Sequence, residues 1–172
     1  SDPDPLDQVS YRMSWWEMVG TPEVQSVDLD SNGVTPESDL IDNTGFMWTV
    51  KAMDTNGAES LSDTAHFYTD AFPEPPLNFA TVSPEDEVEG IATEVEFIWN
   101  QTYDPDPLDE IHYQLVYATD WEDSSTYVFS ELIQDTSITL ELEDNAQYYW
   151  IVIALDTDDF VVGSNDNTRS ES

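Results

Sequence analysis

The stretch Asn145-Ala-Gln-Tyr-Tyr-Trp-Ile-Val-Ile-Ala-Leu-Asp156 decides the reading of this chain, because it occurs twice. Its counterpart, 102 residues earlier, is Asn43-Thr-Gly-Phe-Met-Trp-Thr-Val-Lys-Ala-Met-Asp54. Tyr148, Trp150, Val152 and Ala154 fall on one face of a period-2 strand, as do Phe46, Trp48, Val50 and Ala52. Alternating aromatic, β-branched and small residues mark a strand with one face in a core. A leucine stands six residues before the first aromatic of each copy (Leu40 and Leu142), and each strand ends at an Asp-Thr turn.

Working outward, Asp2-Pro-Asp-Pro-Leu-Asp7 returns unchanged as Asp104-Pro-Asp-Pro-Leu-Asp109, at the same period of 102. Each copy precedes an alternating strand: Tyr11, Met13 and Trp15 in the first, Tyr113, Leu115 and Tyr117 in the second. The second copy also has strands upstream, an edge through Leu77, Phe79 and Thr81 and a buried one through Val95, Phe97 and Trp99. Pro73-Glu-Pro-Pro76 reads as a stiff linker. The first copy closes with a strand through Ala65-His-Phe-Tyr68, whereas the second runs out in Asn165–Ser172. No stretch has the pattern of a helix. The expected organisation is therefore all-β, two antiparallel sandwiches in tandem. The first, residues 1–72, lacks its N-terminal strands, and the second, residues 73–172, lacks part of its last strand. The sequence reads as a window cut from a longer array.

Composition narrows the function. The 172 residues include 38 Asp plus Glu against Arg12, Lys51 and Arg169, a net charge of −35. Nucleic acid and anionic membrane surfaces are excluded as partners, since phosphate binding needs clustered Lys and Arg. Six Trp, eight Tyr and seven Phe supply enough apolar surface for ordered cores. Carboxylates at this density repel one another unless high salt or bound divalent cations compensate. Near-absence of Lys suits a salt-loving source, and Asp-rich loops suit calcium. No cysteine is present, and no run is apolar enough for membrane insertion as a helix.

The spacing of Trp99, Tyr113, Leu142, Tyr148, Trp150, Val152 and Ala154 resembles that of fibronectin type III domains, immunoglobulin-like β-sandwiches found in tandem in bacterial secreted and surface proteins. The resemblance implies a tyrosine corner, in which the hydroxyl of Tyr148 bonds back toward the leucine loop. Phe46 stands at that position in the first module and has no hydroxyl.

Four groups of residues are candidate sites. In such a fold the Asp-Pro loops lie at the same end of the sandwich as the turns after Asp54 and Asp156, so Asp2, Asp4 and Asp54 converge, as do Asp104, Asp106 and Asp156. Calcium takes about six to eight oxygens, many from carboxylates; the alternative is that Asp and Pro simply form turns. Asp28, Asp30, Asn32 and Gly33 match positions of an EF-hand-like calcium loop, with Asp39 at its last position; the alternative is an Asn-Gly hairpin. Tyr149, Ile151 and Ile153, with Val116 beside them, form an apolar outward face that either docks a neighbouring domain or is covered by its own loops. Trp16 and Trp121 fall outside the inward alternation and are either sugar-stacking platforms or packed against their own loops.

His66 and His112 are isolated, and no nucleophile elbow or phosphate-cradling loop occurs, so catalysis is not expected. The expectation is a non-catalytic extracellular or cell-surface repeat, a spacer or cell-adhesion stalk stiffened by calcium. Its partners are the neighbouring modules of the same chain, with other surface proteins or glycans besides. The alternatives are a carbohydrate- or protein-binding accessory module of a secreted hydrolase, and a halophilic acidic domain without metal.

Overall fold

The computed structural model describes residues 8–21, 23–29, 33–36 and 39–164. The chain divides into two compact units at Phe72/Pro73. Its regular structure is almost wholly β, with one turn of 3-10 helix at Ser124–Thr126 among the described residues.

Unit 1 is a five-stranded antiparallel sheet. It comprises β1 (Ser10–Glu17), β2 (Gln25–Leu29), β3 (Thr44–Met53), β4 (Glu59–Leu61) and β5 (Ala65–Thr69). The order is β2-β1-β3, with β4 and β5 following one another along the far edge of β3. Hydrophobic alternation sets the register, because a slip of one residue would turn every apolar side chain to the other face. Tyr11 thus lies opposite Ala52, Met13 opposite Val50 and Trp15 opposite Trp48. Phe46 is buried and stacks on Phe67 with centroids 5.4 Å apart. Trp15, Trp48 and Val50 are only half-buried, because no second sheet faces them among the described residues.

Unit 2 is a sandwich of three strands on four. Strands β6 (Thr81–Ser83), β7 (Glu94–Trp99) and β10 (Ser137–Glu141) form one sheet in the order β10-β7-β6. Strands β8 (His112–Ala118), β9 (Val128–Phe129), β11 (Tyr149–Leu155) and β12 (Val161–Gly163) form the other, in the order β12-β11-β8-β9. Tyr113 opposes Ala154, Leu115 opposes Val152, and Tyr117 opposes Trp150. These are the unit 1 pairs displaced by 102 residues, so the echo in the sequence is an echo in register.

The core lies between the sheets. Val95, Phe97 and Trp99 enter from one side, and Tyr113, Leu115, Val152 and Ala154 from the other. Phe97 meets Trp150 edge to face, with centroids 5.0 Å apart. Each fully buried side chain of this size contributes about 1.5–3 kcal/mol of transfer free energy. The corner implied by the family resemblance is present: Tyr148 Oη accepts the Glu143 N–H at 3.2 Å. This is a fibronectin type III-like β-sandwich. The segment read as a linker belongs to unit 2, with Pro76 buried and Glu74 half-buried.

Candidate metal centre

Two loops of unit 2 carry the buried carboxylates, and the first supplies the grouped ones. The first joins β7 to β8. Thr102, buried, donates its N–H to Tyr113 Oη at 2.8 Å, and that core tyrosine fixes where the loop departs. Pro105 and Pro107 restrict the backbone. Asp104 Oδ1 accepts the Asp106 N–H at 2.9 Å, and the Asp109 N–H reaches the Asp106 carbonyl at 3.2 Å. The second loop joins β11 to β12. There Asp156 Oδ1 accepts two backbone donors, Asp158 N–H at 2.9 Å and Phe160 N–H at 2.8 Å. Unit 1 repeats the device, with Asp54 Oδ1 accepting from Asn56 and Ala58, both at 2.8 Å.

The carboxylates divide their oxygens between two tasks. Asp104 Oδ1 and Asp156 Oδ1 hold their own loops, and Asp106 Oδ2 accepts the Glu74 N–H at 2.9 Å. The other oxygens, Asp104 Oδ2, Asp106 Oδ1 and Asp156 Oδ2, are buried without a hydrogen-bond partner, as is Asp109 Oδ2. Asp104, Asp106 and Asp109 each place an oxygen within 4.8 Å of the others. Oxygens on opposite sides of a calcium ion are separated by about twice the metal–oxygen distance, roughly 5 Å. The side chains of Asp106 and Asp156 are 2% and 7% exposed, so water does not solvate their charge freely. A cavity of about 350 Å³ lies against Asp104, Asp106, Asp109 and Tyr113.

No Lys or Arg among the described residues of unit 2 offsets this charge. Between Pro73 and Ser164 the sequence contains no Lys or Arg. Arg12 pairs with Asp28 and Lys51 with Glu59, both in unit 1. Loss of hydration raises the pKa of Asp104; the Asp106 N–H opposes the shift, and the charges of Asp106, Asp156 and Asp109 add to it. Asp158, itself exposed, is shifted upward by partial dehydration first and then by Asp109, Asp156 and Asp106. The group within 4.8 Å comprises Asp104, Asp106 and Asp109, all from the first loop, and does not include Asp156 or Asp158.

A carboxyl whose pKa is higher folded than unfolded binds more protons in the native state across that interval. Its stabilising effect is complete at low pH and is lost as pH rises through the folded value. Metal-free unit 2 is therefore expected to melt at higher temperature near pH 4.5 than near pH 7, and calcium is expected to remove most of that difference. Calorimetric melting in EDTA and in calcium at both pH values checks this, and a metal-free melting temperature independent of pH would contradict it.

The other candidate positions have different surroundings. Asp28 lies on β2, across from Arg12 on β1, and both its oxygens meet the guanidinium, at 2.7 and 3.1 Å. That hydrogen bond first, and the Arg12 charge with it, hold its pKa below the ordinary carboxylate range. A cross-strand ion pair occupies the residue expected to open an EF-hand-like loop. Asp39 is exposed, and Asp30, Asn32, Asp2 and Asp4 lie outside the described residues.

Trp121 is half-buried and stacks on Tyr127, centroids 4.9 Å apart, while Tyr127 Oη donates to the Trp121 carbonyl at 2.6 Å. It packs against Tyr127 within its own loop, the second of the two readings given above. Trp16 is half-buried on β1, across from Met47. On the outward face of β11, Tyr149 is 45% exposed and Ile151 and Ile153 are half-buried. Val116, across from both Ile151 and Phe129, is buried, so the strand's own neighbours cover part of that face.

Sequence reasoning brought Asp104, Asp106 and Asp156 together but did not single out Asp109 or Asp158. Asp109 carries a signal, since it closes the hexapeptide that is repeated without change. Asp158 has only the Asp-x-Asp spacing after Asp156, and unit 1 has Asn56 at that position.

No family model and no curated protein matches the sequence. Among solved structures, the crystal structure of the FN1–FN3 domains of chicken CNTN1 aligns with 92% of this chain at 18% identity and a TM-score of 0.34. The chain spans 57% of the length of that structure. The assignment to a fibronectin type III-like, immunoglobulin-like fold therefore rests on the three-on-four sandwich, its register and its tyrosine corner.

Proposed function

We propose that this chain is a non-catalytic spacer or adhesion segment of a large secreted or cell-surface protein, of the kind exported by bacteria in tandem arrays, and that calcium stiffens it. The observation that carries the reading is the set of four buried, unpartnered carboxylate oxygens, from Asp104, Asp106, Asp109 and Asp156, the first three residues grouped within 4.8 Å, in a stretch, residues 73–164, without Lys or Arg. An unpaired buried carboxylate costs several kcal/mol. A cation removes that cost at every oxygen it touches. All-oxygen ligands select hard cations over zinc or copper, and irregular loops suit the flexible coordination of calcium better than the octahedral demand of magnesium. Exposed Asp158 adds charge beside the centre. Calcium sites in extracellular modules are weak, about 10⁻⁴–10⁻³ M, in keeping with the concentration of the ion outside cells.

Isothermal titration of EDTA-stripped protein is expected to show calcium binding with millimolar or tighter affinity. Asp106→Asn and Asp156→Asn, which keep the shape and the acceptor oxygen, are expected to abolish the unit 2 site. Binding that survives Asp106→Asn belongs to unit 1, where Asp54 has the same turn. Absence of binding in the wild-type chain would leave the acidity as adaptation to high salt, without a metal.

A further inference from the structure

We infer that a cation at this centre latches the segment Pro73–Leu77 onto unit 2, an inference that rests on the calcium reading above. In Pro73-Glu-Pro-Pro-Leu77 only Glu74 and Leu77 possess a backbone N–H, because proline has none. Both donors go to the metal-bearing loop: Glu74 N–H to Asp106 Oδ2 at 2.9 Å, and Leu77 N–H to the Tyr103 carbonyl at 2.9 Å. Thr102 Oγ1 in turn donates to the Leu77 carbonyl. The segment lies before β6 and belongs to no strand, so these bonds take the place of a ladder.

Asp106 links the two events physically. One of its oxygens is buried without a hydrogen-bond partner and the other holds Glu74, while the residue is grouped with Asp104 and Asp109. A cation that binds Oδ1 fixes the carboxylate plane and so fixes the acceptor for Glu74. Without it, Asp106 is a buried anion beside Asp104 and Asp109, and repulsion favours opening of the loop that carries Asp106 and Tyr103. Coupling of this kind is reciprocal: if calcium tightens the segment, the segment tightens calcium. Pro73 directly follows the last residue of unit 1 in the chain. The latch therefore sets how many residues after unit 1 stay free to move.

Amide exchange by NMR on the full chain, in EDTA and in saturating calcium, tests this. Protection of the Glu74 and Leu77 amides is expected to rise about tenfold or more with calcium, well above the change at Phe97 in β7. Glu74→Pro removes the donor and a carboxylate together, so Glu74→Gln, which loses the same charge and keeps the donor, is its reference; relative to Glu74→Gln, Glu74→Pro is expected to weaken calcium binding several-fold. Calcium that binds with unchanged exchange at Glu74 and Leu77, or with equal affinity in Glu74→Pro and Glu74→Gln, would overturn the latch and leave the metal centre standing. No calcium binding by calorimetry would remove the metal centre and the latch together.

Discussion

Saturating calcium is expected to raise the melting temperature of unit 2 by on the order of 10 °C over the same chain in EDTA. A ligand present at a hundred times its dissociation constant stabilises the native state by about 2.7 kcal/mol. In a domain of this size each kcal/mol moves the midpoint by about 4–8 °C. Sodium chloride separates the contributing charges. At molar concentration the Debye length falls to about 3 Å, which screens exposed carboxylates but acts much less on buried ones. The exposed acids of both units respond to salt, whereas Asp106 and Asp156, 2% and 7% exposed, respond to the ion that enters among them. Calcium should therefore add a further rise in molar salt. If sodium chloride alone reproduces the gain and calcium adds nothing, the metal centre is abandoned in favour of a halophilic domain.

Asp106→Asn sharpens the same experiment. The variant removes one buried charge from the cluster while keeping an oxygen for Glu74. It should lose the calcium-dependent gain and, in EDTA, melt above the wild type. A substitution that stabilises the metal-free state and abolishes the response to metal is hard to explain by general damage. A melting temperature below that of the wild type in EDTA would show that Asp106 acts in local structure rather than as a charge awaiting a cation.

Phe97→Ala is expected to cost about 3–5 kcal/mol, because it empties the middle of the sandwich and leaves a cavity that rigid strands cannot close. Phe97 is 1% exposed, lies on β7, and meets Trp150 of the opposite sheet edge to face. A small domain has about 5–15 kcal/mol of total stability, so the change removes a large share of it. With a urea slope of about 1–3 kcal/mol per molar, the midpoint for unit 2 should fall by roughly 2 M. Phe129, 57% exposed on the edge strand β9, is the control, and its replacement by alanine should barely move the midpoint. Equal effects at the two positions would mean that packing between the three- and four-stranded sheets does not hold unit 2 together.

The inward faces of the main strands were legible in the sequence, although the edge strand expected through Leu77, Phe79 and Thr81 is confined to Thr81–Ser83. Tyr113, Leu115 and Tyr117 meet Ala154, Val152 and Trp150 because a period-2 pattern can bury its apolar face in only one of two registers. The repeat at 102 residues carried the same pairing to unit 1. The position of the tyrosine corner was also legible, being local to Glu143 and Tyr148.

Other features depended on which distant residues the fold made neighbours. Asp28 matched the spacing of a calcium loop, yet the β1–β2 register set it across from Arg12, one of only three basic residues in the chain. Trp121 lies outside the alternation, and its loop stacks it on Tyr127. The centre groups Asp104, Asp106 and Asp109 of one loop, and with 38 acids in the chain no carboxylate set stands out by pattern. The sequence by itself determined the main strands, their inward faces and the Asp-rich turns between them, because these follow from alternation and turn chemistry within a few residues. Only the tertiary structure decided which oxygens hold backbone and which are turned inward without a partner, because burial belongs to the packed loops and not to any residue alone.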